Sequence, residues 1–264
     1  MKNLVIGSEG FVGRSFCQYL ETAGETVIRF DIKRGEEEDA SKYKLPVEAA
    51  DRVYFLAWEV GGSKFLYRDE IQFLQLERNL ALMTNVFRQL RECPKPFLFV
   101  SSQLAEEHDT VYGTTKRLGE VWTRLLNGVR VRLWNIYGSY EPVGERSHVV
   151  ADFVHQALST NEIRMLTTGE EQRQFIFHTD VNEGLHQALS DGLQGIYDIS
   201  SSEWVTVLSI AKIIADQTGA KVVPGNIVGS TPITPMVGKI PGWQPKVSLA
   251  NGLAQLIAKT KANL

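Results

Sequence analysis

The sequence predicts an α/β fold: a doubly wound parallel sheet with a smaller C-terminal lobe over its carboxyl edge. Three observations predict it. Short β-rich runs alternate with longer helical patterns up to about residue 140, the order that builds parallel sheets with helices on both faces. These runs are almost continuously apolar, as expected of strands covered on both sides. Beyond about residue 140 the strands shorten and Gly, Pro and Ser become more frequent.

The elements follow in order. The run NLVIG (3–7) leads into a helix over 10–23, and the turn between them, VIGSEGFVG, carries Gly7, Gly10 and Gly13. Glycines there allow a tight turn and close approach of a pyrophosphate, while the helix N-terminus supplies free N–H groups and partial positive charge. The next run, TVIRFD (26–31), ends in Asp31, where a carboxylate accepts both hydroxyls of an adenosine ribose. Together they predict a Rossmann-like dinucleotide site. Its contacts are assigned to Gly7, Gly10, Phe11, Val12, Gly13 and Asp31. Asp31 favours NAD over NADP because it repels a 2′-phosphate; Lys33 and Arg34, which follow at once, are read as solvated loop charges.

Further strands are predicted at DRVYFLAW (51–58), FLFVSS (97–102) and VRVRLWNIYG (129–138), separated by helices over 68–92 and 111–127. The expected division is a dinucleotide-binding unit over 1–140 and a substrate-binding lobe over 141–264. The lobe's predicted strands are 163–167, 174–178 and 196–200, and its helices 148–159, 180–191, 206–218 and 247–260. The strand near 196–199 is expected to return to the main sheet. Five prolines and four glycines make 224–245 an irregular loop.

With 264 residues, 43% hydrophobic and 22% charged, the chain has the composition of a globular protein with a sizeable core. A net charge of −3 gives no electrostatic sign of a nucleic-acid partner. Cys17 and Cys93 read as buried thiols of a reducing compartment. No apolar run reaches the roughly 20 residues that span a bilayer. A cytoplasmic protein with no membrane contact is expected.

The stretch SSQLAEEHDTVYGTTK holds the chemistry. Tyr112 and Lys116 lie four apart and so share a helix face. A phenol with its usual pKa of about 10 is a poor base at neutral pH. A neighbouring ammonium and a positive nicotinamide ring favour the phenolate. Ser102, at the carboxyl end of a strand, is placed to hydrogen-bond a substrate oxygen; Ser101 is the alternative one register step away. The catalytic assignment is Ser102, Tyr112 and Lys116.

These motifs, with others along the chain, resemble the extended short-chain dehydrogenase/reductase family, in its NAD-dependent nucleotide-sugar epimerase/dehydratase branch. G-x-x-G-x-x-G, Y-x-x-x-K, YFLAW, RNLALMTN, RLWNIYG, GEEQRQFIFHTDV and IPGWQPKVSLANGL occur in that family's order and cover nearly the whole chain. The resemblance implies cofactor contacts from Leu56, Ala57, Trp58, Asn79, Tyr112 and Lys116. It implies substrate contacts from Gly61, Gly62, Ser102, Asn135 and Arg173, the last on phosphate oxygens. Trp58 replaces a small residue usual beside the nicotinamide and so narrows that site.

Two departures matter. The connection between serine and tyrosine is short, and Gln103 and Leu104 replace the Asp-Glu pair by which dehydratases expel water. The resemblance therefore implies epimerisation or ketone reduction of a nucleotide-diphosphate sugar, in a homodimer paired through helices 68–92 and 111–127. The alternatives are a dehydrogenase/reductase of a smaller alcohol or ketone, and a non-catalytic cofactor sensor. Lys64 and His108 are possible acid/base groups, with solvated roles favoured for both. The remaining histidines lack the clustering of a metal site.

Overall fold

The computed structural model describes residues 1–61, 69–139, 141–232 and 234–264, with Asp69 in its backbone only. Along the first half run β1 (Lys2–Ile6), α1 (Phe11–Thr22), β2 (Thr26–Phe30), β3 (Arg52–Phe55), α2 (Asp69–Glu92), β4 (Phe97–Ser102), α3 (Val111–Leu125) and β5 (Val129–Leu133). Then come β6 (Asn135–Tyr137), α4 (Val149–Thr160), β7 (Glu162–Arg164), β8 (Gln172–Phe177), α5 (His178–Ser190) and β9 (Gly195–Ile199). The chain finishes with β10 (Trp204–Thr206), α6 (Val207–Thr218), β11 (Lys221–Val223) and α7 (Leu249–Lys261).

Six strands form one parallel sheet in the order β2-β1-β3-β4-β5-β9. Both faces are covered. Phe16, Cys17 and Leu20 of α1 join Val181, Leu185 and Leu189 of α5 on one side. Met83, Val86, Phe87 and Leu90 of α2 pack on the other, with Trp122 of α3 stacked on Phe87. Buried strands need apolar residues on both faces, which is why these runs do not alternate. A third core joins α4, α6 and α7 to a three-stranded sheet, β10-β8-β6.

The predicted strand over 129–138 is two strands. It breaks at Trp134, whose indole N–H donates to Asp198 at 2.9 Å, and the chain then leaves the main sheet to pair β6 with β8. Asp198 lies on β9, so the partner that turns the chain is far away in sequence. β9 fills the edge beside β5, whose residues Val129 to Leu133 pair with Gly195 to Ile199 in register. Among the described residues no helix is long and apolar enough to cross a membrane.

Candidate active site

The candidate site begins at the glycine turn. Gly7 has φ +91°, and a Cβ there would lie 2.5 Å from the Ala57 nitrogen. The peptides of Leu56 and Ala57 both donate to the Ile6 carbonyl, at 2.9 and 2.8 Å, so the segment after β3 lies directly against the turn. Gly13 abuts the Gly7 carbonyl so closely that a side chain would separate α1 from β1. Phe11 packs on His148, with ring centroids 5.2 Å apart, and thereby holds the loop after β6 against the turn.

Two features of this turn fit a dinucleotide. α1 starts at Gly10 with no side-chain cap, as α4 and α5 also do, so no capping side chain occupies its first N–H groups at the glycine turn. Asp31 accepts the Glu9 N–H at 2.8 Å and the Lys33 N–H at 2.9 Å. A carboxylate has about four acceptor positions, so capacity remains for ribose hydroxyls. The Lys33 ammonium donates to the Glu9 carbonyl and Arg34 pairs with Glu38, so both cations near Asp31 are already engaged.

Past the turn, the residues predicted to handle protons gather at the end of β4. Lys116 is 3% exposed, and its Nζ donates to the Val100 carbonyl at 2.7 Å. It lies 4.2 Å from the centroid of the Trp58 ring and 5.9 Å from that of Tyr112. Burial pushes the lysine down to about 7, against the opposing influence of Glu120. Ser102 begins the short turn Gln103–Glu106: its Oγ accepts the Leu104 N–H at 3.2 Å and donates to the Gln103 side-chain carbonyl at 3.1 Å. Gln103 is buried, so a neutral amide stands beside this serine.

Ser101 is committed elsewhere. Its hydroxyl donates to Glu120 Oε1 at 2.7 Å, inside an ionic cluster that the sequence reading did not find. Arg132 of β5, 1% exposed, meets Glu120 through Nε at 2.7 Å and through a second guanidinium nitrogen at 2.9 Å. The same guanidinium reaches Glu106 at 2.7 Å, and Arg117 reaches Glu120 at 3.0 Å. Burial opposes charge on Glu120, but hydrogen bonds from Arg132 and Ser101 outweigh it and hold the carboxyl below its usual range. This cluster ties β4, β5, α3 and the short turn together. The available signal was Arg132, a charge inside the apolar run VRVRLW, and Glu120, one turn beyond Lys116 on the same helix face.

Other predicted residues take these places. Asn79 uses both ends of its amide on the Glu59 backbone, accepting at 2.8 Å and donating at 3.3 Å, which fixes the chain just beyond Trp58. Asn135 of β6 donates to the Gln174 carbonyl at 3.2 Å. Arg173, on the neighbouring β8, donates to the Gln172 carbonyl at 2.7 Å and is half-buried. Gly61 is buried, while Gly62 and Lys64 lie outside the described residues. The His108 imidazole is exposed, 4.0 Å from Glu106. Among the described residues no group of three or more His, Cys, Asp or Glu side chains could hold a metal.

Comparison with known proteins decides the family. The model of the NAD dependent epimerase/dehydratase family matches residues 3–200. The chain belongs to that family. It is similar to UDP-glucuronic acid decarboxylase 2 of Arabidopsis thaliana, 28% identical over 97% of this chain, and spans about two thirds (67%) of that protein's length. It is also similar to dTDP-4-dehydro-6-deoxy-D-allose reductase of Streptomyces bikiniensis, 24% identical over 86% of this chain and 85% of the relative. The fold matches UDP-glucose 4-epimerase of Thermotoga maritima, solved with UDP-glucose, with a TM-score of 0.78. That match has 20% identity over 100% of this chain and 99% of the other. These likenesses agree with the family membership and with its NAD-dependent fold.

Proposed function

We propose that this member of the family is an NAD-dependent epimerase or ketoreductase acting on a nucleotide-diphosphate sugar. The observation that carries the reading is the convergence of Tyr112, Lys116 and the end of β4 beside Leu56–Trp58, which itself lies against the glycine turn. NAD, when bound, supplies the hydride acceptor. Ser102 hydrogen-bonds the reacting oxygen, Tyr112 takes or returns its proton, and the Lys116 ammonium stabilises the phenolate. Gln103 carries no acid or base, which argues for hydride and proton transfer without loss of water. Asn135 and Arg173, on adjacent strands of the lobe, are assigned to the sugar and the diphosphate. The relatives' names, a UDP-sugar decarboxylase and a dTDP-sugar reductase, support a nucleotide sugar as substrate.

The division into a dinucleotide-binding unit over 1–140 and a lobe over 141–264 belongs to this reading, with β9 and α5 serving the main sheet. So does a cytoplasmic homodimer. Phe73 and Leu80 of α2, with Leu118, Val121 and Leu125 of α3, are exposed large apolar residues at helical spacing, suited to pairing with a second copy. Sedimentation should give the mass of two 29.6 kDa chains, and Leu125→Asp should reduce it to one. A monomer in the unaltered protein would discredit the pairing.

The substrate class is tested by thermal shift with UDP-, GDP-, CDP-, dTDP- and ADP-sugars in the presence of NAD. A cognate ligand at 100 times its Kd should add about 2.7 kcal/mol of stability. If none of them stabilises the protein, while a small alcohol or ketone is turned over, the nucleotide-sugar assignment and the role of Arg173 fall.

A further inference from the structure

Lys116 is buried on an unusual set of neighbours. Its ammonium has one hydrogen bond, to the Val100 carbonyl, and among the described residues no carboxylate forms an ion pair with it. Three aromatic rings surround it instead: the centroids of Trp58, Phe99 and Tyr112 lie at 4.2, 5.1 and 5.9 Å. All three fall within the roughly 6 Å over which a ring quadrupole attracts a cation. Trp58 is held by Phe55 and Phe99, with ring centroids 6.1 and 5.4 Å away. Its indole N–H is buried, with no hydrogen-bond partner among the described residues.

The charged groups nearby are engaged elsewhere. Glu120, which acts on Lys116 along α3, is bound by Arg132, Arg117 and Ser101. Glu106, on the turn packed against α3, is held by Arg132. Glu59, next to Trp58, is taken by Arg78 and Arg146. The Tyr112 phenol is the remaining titratable neighbour. A buried amine in such surroundings tends to lose its proton, yet a neutral amine gives no help to a phenolate.

We propose that Trp58, seconded by Phe99, is a positioning residue: its ring face keeps the Lys116 ammonium charged and in place where no carboxylate among the described residues pairs with it. The role extends the assignment of Tyr112 and Lys116 as the proton-handling pair. The lysine must be protonated to act, so activity falls as pH rises through its titration. Anything that removes the ring face while keeping the site apolar brings that fall to lower pH.

The test is the titration midpoint of Lys116 in the full-length protein, followed by NMR of 13C-labelled lysine and assigned by loss of the signal in Lys116→Met. Trp58→Leu keeps an apolar group and removes the ring; its midpoint should drop by about one pH unit, a tenfold loss of proton affinity. Trp58→Phe keeps a ring and should hold the midpoint near the unaltered value. Trp58→Met serves as the ringless variant should Leu fail to fold. The alkaline limb of kcat against pH should move in the same direction. An unchanged midpoint in the ringless variant, or an equal drop in Trp58→Phe, overturns the proposal. The midpoint is read without turnover, so the two conclusions separate. A shift in a protein that acts on no nucleotide sugar keeps the aromatic enclosure and removes the proposed function; turnover with no shift does the reverse.

Discussion

Tyr112→Phe should lower kcat by roughly 10²–10⁴-fold, the usual contribution of a positioned acid/base group, with little change in the thermal shift produced by the nucleotide sugar. The substitution keeps the ring and removes only the hydroxyl, so the packing beside Lys116 is retained. On the proposed assignment, what is lost is the proton acceptor for the substrate hydroxyl, an interaction made in the transition state. Such a loss appears in kcat and kcat/KM together and leaves ground-state binding in place. Turnover at the unaltered rate would show that another group moves the proton, and the assignment of the Tyr–Lys pair would be abandoned.

Glu120→Ala should cost about 3–5 kcal/mol of stability, because Arg132 then keeps its charge in a buried site with its main partner gone. Glu106 reaches one guanidinium nitrogen but does not replace the two bonds that Glu120 provides. Denaturant unfolding at neutral pH measures this directly, and Tm should fall by roughly 10 °C. The carboxyl of Glu120 is held below its usual range in the fold. Its contribution is therefore fully present above the unfolded-state value, about 4.3, and fades as pH falls through the lower folded value. Joint replacement by Glu120→Leu and Arg132→Met should recover most of the loss, since an apolar pair avoids desolvating either charge. A single-variant loss below about 1 kcal/mol, typical of exposed pairs, would mean that the cluster is solvated in solution.

The cluster also shapes the candidate site through geometry. Ser101 and Ser102 point to opposite faces of β4, and Glu120 holds Ser101 on one of them. Glu106 extends the same tie to the short turn that Ser102 begins. The connection between serine and tyrosine is thus fastened from beneath by Arg132, which compensates for the few residues it has to pack with.

Much of the architecture was legible because it rests on local rules. Continuous apolar runs, a glycine turn before a helix and an acidic residue ending the second strand depend on neighbours a few positions apart. So does the shared face of Tyr112 and Lys116. The sequence by itself therefore determined the parallel sheet, the position of the glycine turn and the helix that bears the Tyr–Lys pair. Tertiary structure alone decided the rest. Period-two alternation separates Ser101 from Ser102 without saying which face carries the buried charge; Arg132, from the next strand, settles where Ser101 is bound. The run over 129–138 reads as one strand until Asp198, arriving on β9, takes the Trp134 indole and turns the chain into a second sheet. Trp58 reads as a bulky substitution until its ring is found facing a lysine 58 residues later. In each case the deciding partner is brought in by the fold from a distant segment. Local periodicity sets the direction of a side chain, and only the packed structure sets what it meets.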